Sequence, residues 1–512
     1  MESELKLLLD ARHKDAVLQH PLLHPQLASK PREQHLADTY FDTPDLRLRR
    51  SDVGLRVRRV NGGWVQNIKA GAGAIGGFHR RDEWESPVAG SAPDVPLLRE
   101  IVDDKKIWRD LLGGPKVRDN LAPVFTTKVK RTVWMLEFPE GDRIECALDY
   151  GSIEAKGRHI PISELELELK AGNPARLFDL ALGLQTDIAL HIGNQSKADR
   201  GYAMLDAAPP AAVKATPLTL DKNMSVEQVF QAITENCLTH MQANEEGVAT
   251  RHDVESVHQM RVGMRRLRSA LGMFKDLLHL PEALQADLDW LAAELADARD
   301  WDVLAGSTLA SVEKDLQDRT PVQGVQHAAK LKAQEHHITA AGAVGSPRYT
   351  RLMLNMTRWV RTMGWHDEQD ASGVAGKKLQ GPVVKFAHKI LQRDQRRLRA
   401  RAHSLREATP EARHRVRIAA KKTRYAAEFF ESLFAAKTVR PYVKGLTALQ
   451  DELGFLNDVA VADRLLTDMS AAEPQLQAGT GFVKGFLAAR VSTDDSVITK
   501  LWKRFESIPM PK

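Results

Sequence analysis

Residues 2–6 have the sequence Glu-Ser-Glu-Leu-Lys, and this stretch decides our interpretation of the fold. Successive side chains of a β-strand point to opposite faces, so Glu2, Glu4 and Lys6 share one face while Leu5 lies on the other. Carboxylates two residues apart on a strand are about 7 Å from each other. If that face is buried, the two acids repel, and each is costly unless a cation lies between them. A divalent metal ion would meet this requirement.

The composition is that of an ordinary soluble globular protein with more than one domain. The chain has 512 residues, of which 43% are hydrophobic and 27% charged, and a single core rarely grows to that size. Two distant cysteines, Cys146 and Cys237, provide neither a disulfide framework nor a metal site, which favours a reducing compartment. No apolar run reaches the length of about 18 residues that a membrane span needs, and no signal region is evident. We therefore expect a cytoplasmic protein without a membrane partner.

The positive charge is concentrated in the second part of the chain. The net charge is +6, and residues 1–200 contain 30 Lys and Arg against 30 Asp and Glu, so the whole excess follows residue 200. Residues 381–424 alone contain 14 basic and 3 acidic residues. Such a concentration predicts a polyanionic partner, which would be a nucleic acid, a phosphate polymer or an anionic membrane.

Hydrophobic patterning divides the chain into a strand-rich half and a helical half. Short alternating runs predict strands at Gly54–Val60, Trp64–Lys69, Asp82–Ser86, Thr126–Leu136, Arg143–Asp149 and Ser163–Lys170, with helical insertions near 93–112 and 174–184. A stretch rich in Pro and Ala predicts a linker at residues 206–224, after which the period becomes helical. The predicted domains are therefore residues 1–205 and 225–512.

The helical half contains an internal repeat. Five residues of the first copy recur in the second at a constant offset of 156: His258, Arg261, Arg265, Arg266 and Arg268 become His414, Arg417, Lys421, Lys422 and Arg424. The same offset carries Asp302 onto Asp458. A repeat of this length is too long for a solenoid unit. It predicts two similar helical bundles, at about 225–370 and 380–512, related by a pseudo-two-fold axis.

Charged residues alternate with apolar ones on several predicted strands, and their signs segregate. Arg56 and Arg58 form a basic face, whereas Glu164, Glu166 and Glu168 form an acidic one. One interpretation is that these faces are the solvated side of an antiparallel sheet. An exposed face usually mixes the signs, however, so the alternative is a closed barrel with apolar residues outside, under helices, and charged residues inside. Its lumen could hold metal-bound polyphosphate, since carboxylates bind hard cations while Arg and Lys bind phosphate oxygens.

Together with other motifs, these residues resemble the CYTH domain of the triphosphate tunnel metalloenzymes. The motifs are residues 2–6, Tyr40–Pro44, Gly54–Arg58, Ile68-Lys69, Glu164–Glu168, and Ser196-Lys197 followed by Arg200–Tyr202. The resemblance covers roughly residues 1–205 and implies an eight-stranded antiparallel β-barrel tunnel with flanking helices. That superfamily includes class IV adenylyl cyclases, thiamine triphosphatases and inorganic triphosphatases.

The resemblance also implies roles for individual residues of the tunnel. The metal ligands would be Glu2, Glu4, Asp149, Glu164 and Glu166. The triphosphate would be bound by Lys6, Arg56, Arg58, Lys69, Arg131 and Lys197, with Arg200 as a candidate that could equally pair with an acid. The first four of these would also be catalytic, because they would stabilise charge on the transferring phosphoryl group. One Mg²⁺ or Mn²⁺ ion would bind the triphosphate, and a second could activate water for in-line attack.

Two basic stripes mark the helical half. On a helix, residues three, seven and ten positions apart share a face, and this spacing occurs twice: in His258, Arg261, Arg265 and Arg268, and in His414, Arg417, Lys421 and Arg424. A third basic stretch includes Arg393 and Arg397. Solvated basic faces are one interpretation, but the histidine that leads each stripe favours a groove for an extended polyanion, with salt-dependent binding. Nucleic acid is not expected, because aromatic residues are only 6% of the chain and do not interleave with the stripes.

The helical half resembles the conserved histidine α-helical domain, CHAD, over about residues 220–505. The resemblance depends on the two stripes and on Arg299–Val303, although the second copy, Phe455–Val459, lacks the Arg-Asp pair. It implies two pseudosymmetric helical bundles that bind inorganic polyphosphate. Asp302 and Asp458 would orient basic side chains through ion pairs or cap helices.

The order of the two domains resembles the bacterial two-domain inorganic triphosphatases. We therefore expect an α+β protein with the barrel tunnel first and an all-α domain of two bundles second. The expected function is Mg²⁺- or Mn²⁺-dependent hydrolysis of tripolyphosphate to diphosphate and phosphate, with long-chain polyphosphate bound by the helical domain. Two alternatives stay open: a non-catalytic polyphosphate-binding or scaffold protein, and a nucleotide enzyme such as a class IV-like adenylyl cyclase.

Overall fold

The protein consists of two compact units in a computed structural model. The first unit comprises Met1–Ala211 and Gly345–Thr362, and the second comprises Ala212–Val344 and Met363–Lys512. The structure describes residues 2–60, 62–71, 74–206, 211–316, 320–366, 374–403, 405, 409–491 and 495–512.

In the described residues of the first unit, ten strands form one antiparallel sheet. They are β1 Glu2–Leu9, β2 Arg32–Asp42, β3 Val53–Val60, β4 Gly63–Ala70, β5 Ala74–Ile75, β6 Phe78–Val88, β7 Ala122–Glu137, β8 Arg143–Ala155, β9 Arg158–Ala171 and β10 Leu190–Ile192. Eight of them close into a ring in the order β1-β9-β8-β7-β2-β3-β4-β6 and back to β1. The short strands β5 and β10 pair with β6 and β1. The ring confirms the predicted eight-stranded antiparallel barrel.

The strand register places charged side chains inside the barrel and apolar ones outside. Lys6 on β1 pairs with Glu166 on β9, and the neighbouring pair, Leu5 and Leu167, points to the opposite face. Both leucines have no exposed surface. The burial of these leucines shows that the outer face is covered at these positions, which agrees with the inside-out arrangement expected from the segregated charges.

Short helices cover the outside of the barrel. In the N-terminal segment they are α1 Lys14–Leu18, α2 Arg47–Arg50, α3 Val95–Ile101, α4 Lys105–Ile107, α5 Pro115–Arg118, α6 Ala175–Asp187 and α7 Lys197–Ala203, with a π-helical turn at Trp108–Leu112. The insertions predicted near 93–112 and 174–184 correspond to α3 through the π-helical turn and to α6. Leu98 and Leu112 from these helices bury Leu55 and Ile68 of β3 and β4 in one core, which accounts for the apolar outer face of those strands.

In the second half of the chain, the described elements of regular secondary structure are helices. The helices are α8 Val226–Gln242, α9 Glu245–Ala249, α10 Val254–Phe274, α11 Glu282–Glu294, α12 Ala296–Asp302, α13 Leu309–Lys314, α14 Thr320–Val344, α15 Pro347–Arg361, α16 Val374–Leu379, α17 Val383–Ala402, α18 Pro410–Phe429, α19 Ala436–Ala472, α20 Gln477–Val491 and α21 Asp495–Glu506. Helix α10 begins at Val254 and α18 at Pro410, which is the offset of the sequence repeat. The two basic stripes therefore lie on equivalent helices.

Helix α15 belongs to the first unit although it follows α14 in sequence. The side-chain amide of Gln185 on α6 donates a 2.8 Å hydrogen bond to the carbonyl of Pro347. Arg358 forms a 2.9 Å ion pair with Asp179, also on α6. The second half of the chain thus supplies one helix to the barrel unit. The predicted domain boundaries of 1–205 and 225–512 instead assign this helix to the helical domain.

Among the helices whose residues the structure describes, we find none that is both long enough and apolar enough to cross a membrane.

Candidate functional site

The charged residues of the barrel line an internal cavity of about 650 Å³. Its wall includes eight of the residues expected to bind metal or triphosphate: Glu4, Lys6, Arg56, Arg58, Lys69, Arg131, Glu166 and Lys197. Seven of them lie on strands that are distant in sequence, where alternation directs them inward, and Lys197 is the first residue of α7. One cavity therefore brings together the cations and the acids that the motifs single out.

Three other predicted residues lie beside this cavity rather than in its lining. Asp149 and Glu164 pair across β8 and β9 and have no exposed surface. Arg200, on α7, lies 3.7 Å from Glu164 Oε2 and donates to the carbonyl of Pro161. Glu2 is part of β1, but its side chain lies outside the described part of the structure.

Asp149, Glu164 and Glu166 form an acidic cluster. One carboxylate oxygen from each lies within 4.8 Å of the others. The second oxygen of Glu164, Oε2, is buried and has no hydrogen-bond partner among the described residues. Carboxylate oxygens are the ligands that Mg²⁺ and Mn²⁺ prefer, and a buried oxygen without a partner can accept one more contact. The donor set of this cluster therefore fits a divalent metal ion.

Three cations converge on the acidic cluster. Lys197 Nζ lies 2.7 Å from Asp149 Oδ2 and 3.0 Å from Glu166 Oε1, and it also contacts Glu164. Lys6 Nζ lies 2.9 Å from Glu164 Oε1 and contacts Glu166. Arg131 forms a bidentate pair with Asp149, at 2.8 and 2.7 Å. Lysine ammonium groups and a guanidinium therefore lie where they could also bind the oxygens of a phosphate held by this cluster.

The neighbouring cations keep Asp149 and Glu166 ionised. Burial alone would raise the pKa of Glu166, but Lys197, Lys6 and Arg131 lower that pKa well below its ordinary value. Burial alone would likewise lower the pKa of Lys6, but Glu164 and Glu166 raise it. Glu166 and Lys6 therefore both carry charge at neutral pH, as metal and phosphate binding require.

Asp38 is a site residue that sequence reasoning missed. It lies on β2, is buried, and receives hydrogen bonds of 2.7 and 2.9 Å from Arg58 and one of 3.3 Å from Arg56. Burial would raise the pKa of Asp38, but the two arginines lower it to about 2. No sequence signal marks this residue, because Leu36 and Tyr40 on the same face of the strand are apolar.

Sequence reasoning also missed His79, although the alternation of charged residues along its strand could have identified it. His79 shares a strand face with Arg81 on β6, and it pairs with Glu4 on the neighbouring strand β1. Extending the alternation of Arg81, Glu83 and Glu85 by two residues therefore reaches His79. Its Nε2 lies 2.9 Å from the carbonyl oxygen of Gly193. Burial, and then the charge of Lys6, lower the pKa of His79 to about 4. The imidazole is therefore neutral at physiological pH.

Glu4 and Lys69 also line the cavity. Burial would raise the pKa of Glu4, but Lys6 and Lys69 contribute to lowering it below its ordinary value. Lys69 Nζ lies 3.1 Å from Glu83 Oε2. Glu4 is thus an ionised carboxylate in the cavity, although it is not a member of the cluster formed by Asp149, Glu164 and Glu166.

In the second unit, four cations from the two repeats form a basic cluster where α10 and α18 pack together. It consists of Arg261 and Arg265 on α10 and Arg417 and Lys421 on α18. The Nε atoms of all three arginines are buried without a hydrogen-bond partner among the described residues. Burial, then the charges of Arg417 and Arg265, lower the pKa of Lys421 to about 7.

The pKa values of His258 and Arg261 on α10 are lowered in the same way as that of Lys421. Burial and Arg299 lower the pKa of His258 to about 4, and burial with Arg265 and Arg299 lowers that of Arg261 to about 10, in spite of Asp300. Burial raises the pKa of Asp458 although Arg417 opposes it. The basic cluster therefore holds more positive charge than its acids offset, and a polyanion would relieve that imbalance.

The remaining predicted residues of the helical unit have other contacts. Arg268 pairs with Asp289, Arg424 with Glu428 at 2.6 Å, and Arg393 and Arg397 with Asp394 at 3.0 and 3.9 Å. His414 lines a second cavity of about 760 Å³, to which Arg417 also contributes. The structure thus brings one part of each stripe into the basic cluster and pairs other members with local acids.

The two repeated aspartates differ in their partners. Asp302 Oδ1 lies 2.9 Å from His337 Nε2 in a buried pair, whereas the charges of Arg417, Arg299 and Lys421 act on Asp458. An orienting role toward the stripe therefore fits Asp458 and not Asp302.

Both units match known domain families. Residues 1–202 match the model of the CYTH domain, and residues 232–467 match the model of the CHAD domain. An inorganic triphosphatase from Haemophilus influenzae is 33% identical over 170 residues, which are 33% of this chain and 46% of that protein. The chain thus spans about half the length of this curated relative.

Two solved structures resemble separate halves of the chain. The CHAD domain from the plant Ricinus communis is 37% identical, with a TM-score of 0.53, and the match covers 59% of this chain and 99% of that one. HpAC1 from Hippeastrum is 20% identical, with a TM-score of 0.30, over 40% of this chain and 96% of that one. A similarity as low as the second says nothing about what this chain does. The domain matches, in contrast, agree with the barrel and with the repeated helical unit: the chain carries a CYTH domain at residues 1–202 followed by a CHAD domain at residues 232–467.

Proposed function

We propose that the protein is a metal-dependent inorganic triphosphatase that hydrolyses tripolyphosphate to diphosphate and phosphate, and that its helical unit binds long-chain polyphosphate. The first part is supported by the CYTH domain and by the similarity to an inorganic triphosphatase over 170 residues. The second part is supported by the basic cluster of the CHAD domain. Two buried cysteines that form no disulfide support a cytoplasmic location for the protein.

The observation that carries the proposal is the convergence of three cavity-lining cations, Lys6, Arg131 and Lys197, on the acidic cluster at the cavity wall. A linear triphosphate carries several negative charges, which cations and a metal must share if it is to enter a closed barrel. Ammonium and guanidinium groups donate to phosphate oxygens, and carboxylates hold the metal. The cavity provides both kinds of group within reach of one another.

The basic residues would hold the substrate and offset the charge that develops on it. Lys6, Lys197 and Arg131 would donate to its non-bridging oxygens. Arg56 and Arg58, fixed by Asp38, would present guanidinium groups in a set orientation and stabilise the transferring phosphoryl group. Lys69 would add a further cation to the same wall. Because their partners already orient these groups, little reorganisation is needed when substrate binds.

Asp149, Glu164 and Glu166, with Glu4 and Glu2 as further candidates, would hold Mg²⁺ or Mn²⁺. When bound, the metal would neutralise phosphate oxygens and make a bound water more acidic. His79, which is neutral at physiological pH, would accept or donate a hydrogen bond near Glu4 without adding charge.

A substrate panel tests the proposal. Phosphate release from tripolyphosphate, ATP, thiamine triphosphate and long polyphosphate would be measured with Mg²⁺ and with EDTA. We expect Mg²⁺-dependent release from tripolyphosphate, with a loss of about 100-fold or more for Glu166→Gln because both a metal ligand and a partner of two lysines are removed. Glu154→Gln is the matched control, since Glu154 lies on the same barrel but pairs with Lys128 at its surface.

Other results would favour the alternatives. Binding of tripolyphosphate without any phosphate release would indicate a scaffold protein. Formation of cyclic AMP and pyrophosphate from ATP would indicate a cyclase. Equal rates for wild type and Glu166→Gln would show that the metal assignment is wrong.

A further inference from the structure

Arg81 is a cavity residue to which the sequence motifs assign no role. It lies on β6 and lines the barrel cavity together with Lys6 and Lys197. Its side chain is only 15% exposed. A guanidinium that is largely withdrawn from water needs an anionic partner to offset the cost of burial, so the partners of Arg81 decide what it can do.

The other arginines of the cavity have close carboxylate partners. The nitrogen–oxygen distances are 2.7 Å for Arg58 and Asp38, 3.3 Å for Arg56 and Asp38, 2.7 Å for Arg131 and Asp149, and 2.9 Å for Arg49 and Asp206. Each of these cations therefore has much of its charge offset within the wall of the barrel.

Arg81 has no comparably close carboxylate among the described residues. Its Nη2 lies 3.6 Å from Asp199 Oδ2, beyond hydrogen-bond distance, and its Nε is buried without a hydrogen-bond partner. Asp199 is 53% exposed. It already accepts hydrogen bonds of 2.8 and 2.6 Å from the backbone and hydroxyl of Ser196, as the N3 residue of the capping box that begins α7. Arg81 therefore keeps donors, and most of its charge, available to the cavity.

We propose that Arg81 is a further substrate-binding residue, which donates hydrogen bonds to phosphate oxygens of an inorganic oligophosphate in the barrel. The inference rests on the proposed function and adds a residue to it. A guanidinium offers planar, parallel N–H donors that match a phosphate group. Because Arg81 has the longest carboxylate contact of the cavity arginines within the described residues, more of its charge is left for an anion than in an arginine whose charge an acid already offsets.

The test uses the full chain with Arg81→Gln, which removes the charge but keeps a polar side chain. Binding of tripolyphosphate would be measured by calorimetry in EDTA, where no turnover occurs, and KM and kcat would be measured in Mg²⁺. We expect Kd and KM to rise about 10- to 100-fold, the usual effect of losing a charge-assisted hydrogen bond. Arg12→Gln is the matched control, because Arg12 is 76% exposed and pairs with Asp10 at the surface. The Kd of this variant should stay within twofold of wild type.

Several results would overturn the inference. They are a Kd for Arg81→Gln within twofold of wild type, an equal loss in Arg12→Gln, or absence of tripolyphosphate binding by the wild-type chain. If the wild type binds but releases no phosphate, the proposed function fails, and the Kd of Arg81→Gln still decides the inference. If Arg81→Gln does not fold, as its melting temperature would show, Arg81→Lys replaces it. That variant keeps the charge but not the planar fork, and a severalfold rise in Kd is expected.

Discussion

At the scale of single residues, Asp38 shows how one buried acid can fix two cations. Its pKa is lowered to about 2 by Arg56 and Arg58, against 3.8 when unperturbed. The native state therefore gains about 2 kcal/mol from its ionised form above pH 4, and this contribution is lost as the pH falls from about 4 toward 2. We expect Asp38→Asn to lower the free energy of unfolding by at least this amount at pH 7.

Denaturant unfolding from pH 7 to pH 2 measures the effect of Asp38→Asn. The difference between wild type and variant should shrink below pH 4, because protonation of Asp38 in the wild type removes the same charge. A difference that stays constant over this range would show that ionic pairing with the arginines is not its cause.

Lys421 gives a second residue-scale prediction, for ligand binding rather than stability. Its pKa is lowered to about 7 by burial, Arg417 and Arg265, with Arg424 also opposing its charge and Asp458 supporting it. A polyanion favours the charged form, so polyphosphate binding should weaken as the pH rises through about 7 and Lys421 loses its proton. Binding to the full chain would be measured from pH 6 to pH 9 at constant ionic strength.

Lys421→Arg is the matched variant for this prediction, because arginine stays charged over the whole range. Its polyphosphate affinity should change less with pH than that of wild type. The same pH dependence in both proteins would assign the effect to the ligand or to another group, and the prediction would be wrong.

At the scale of elements, alternation along a strand predicted much of the site because strand geometry is local. Charged residues two positions apart indicated the inward faces of β1, β3 and β9, and the ring of strands places them around one cavity. Asp38 could not be found in this way, since its partners are arginines on another strand and its own neighbours are apolar. The membership of α15 in the barrel unit depends on long-range packing, which periodicity does not record.

The contact between α15 and the turn before β6 can be tested directly. Gly76 has φ +58°, and a Cβ added there would lie 2.0 Å from Thr357 Oγ1 on α15. The next residue, Gly77, accepts a 2.8 Å hydrogen bond from the backbone N–H of Lys6. We expect Gly76→Ala to destabilise the barrel by roughly 2–4 kcal/mol, as the sum of backbone strain and overpacking.

Gly157→Ala is the control for Gly76→Ala, because Gly157 has φ +71° but no atom within 4 Å of an added Cβ. It isolates the strain of the backbone, about 1 kcal/mol. The melting temperature should therefore fall further for Gly76→Ala than for Gly157→Ala. Equal losses would mean that α15 does not constrain the turn.

At the scale of the whole molecule, the two units differ in how far acids offset the charge of their buried cations. The barrel combines its cations with a cluster of acids, so its cavity is suited to a short anion that arrives with a metal. The helical unit concentrates cations whose burial is only partly offset by acids, so its cluster is suited to an extended polyanion alone. We therefore expect polyphosphate retention and tripolyphosphate hydrolysis to respond separately to substitution.

The variant Arg265→Ala with Lys421→Ala tests this separation, because it removes one cation from each repeat. We expect polyphosphate retention to fall at least about 100-fold at low salt, since two partly buried charges are lost, while phosphate release from tripolyphosphate stays within about twofold of wild type. Retention by the wild type should itself weaken as salt is raised.

Lys437→Ala with Lys444→Ala is the control for this prediction, because it removes two exposed charges from α19 and should leave retention nearly unchanged. An equal loss in that control would assign binding to net charge rather than to the basic cluster, and a parallel loss of hydrolysis would show that the two activities depend on one another.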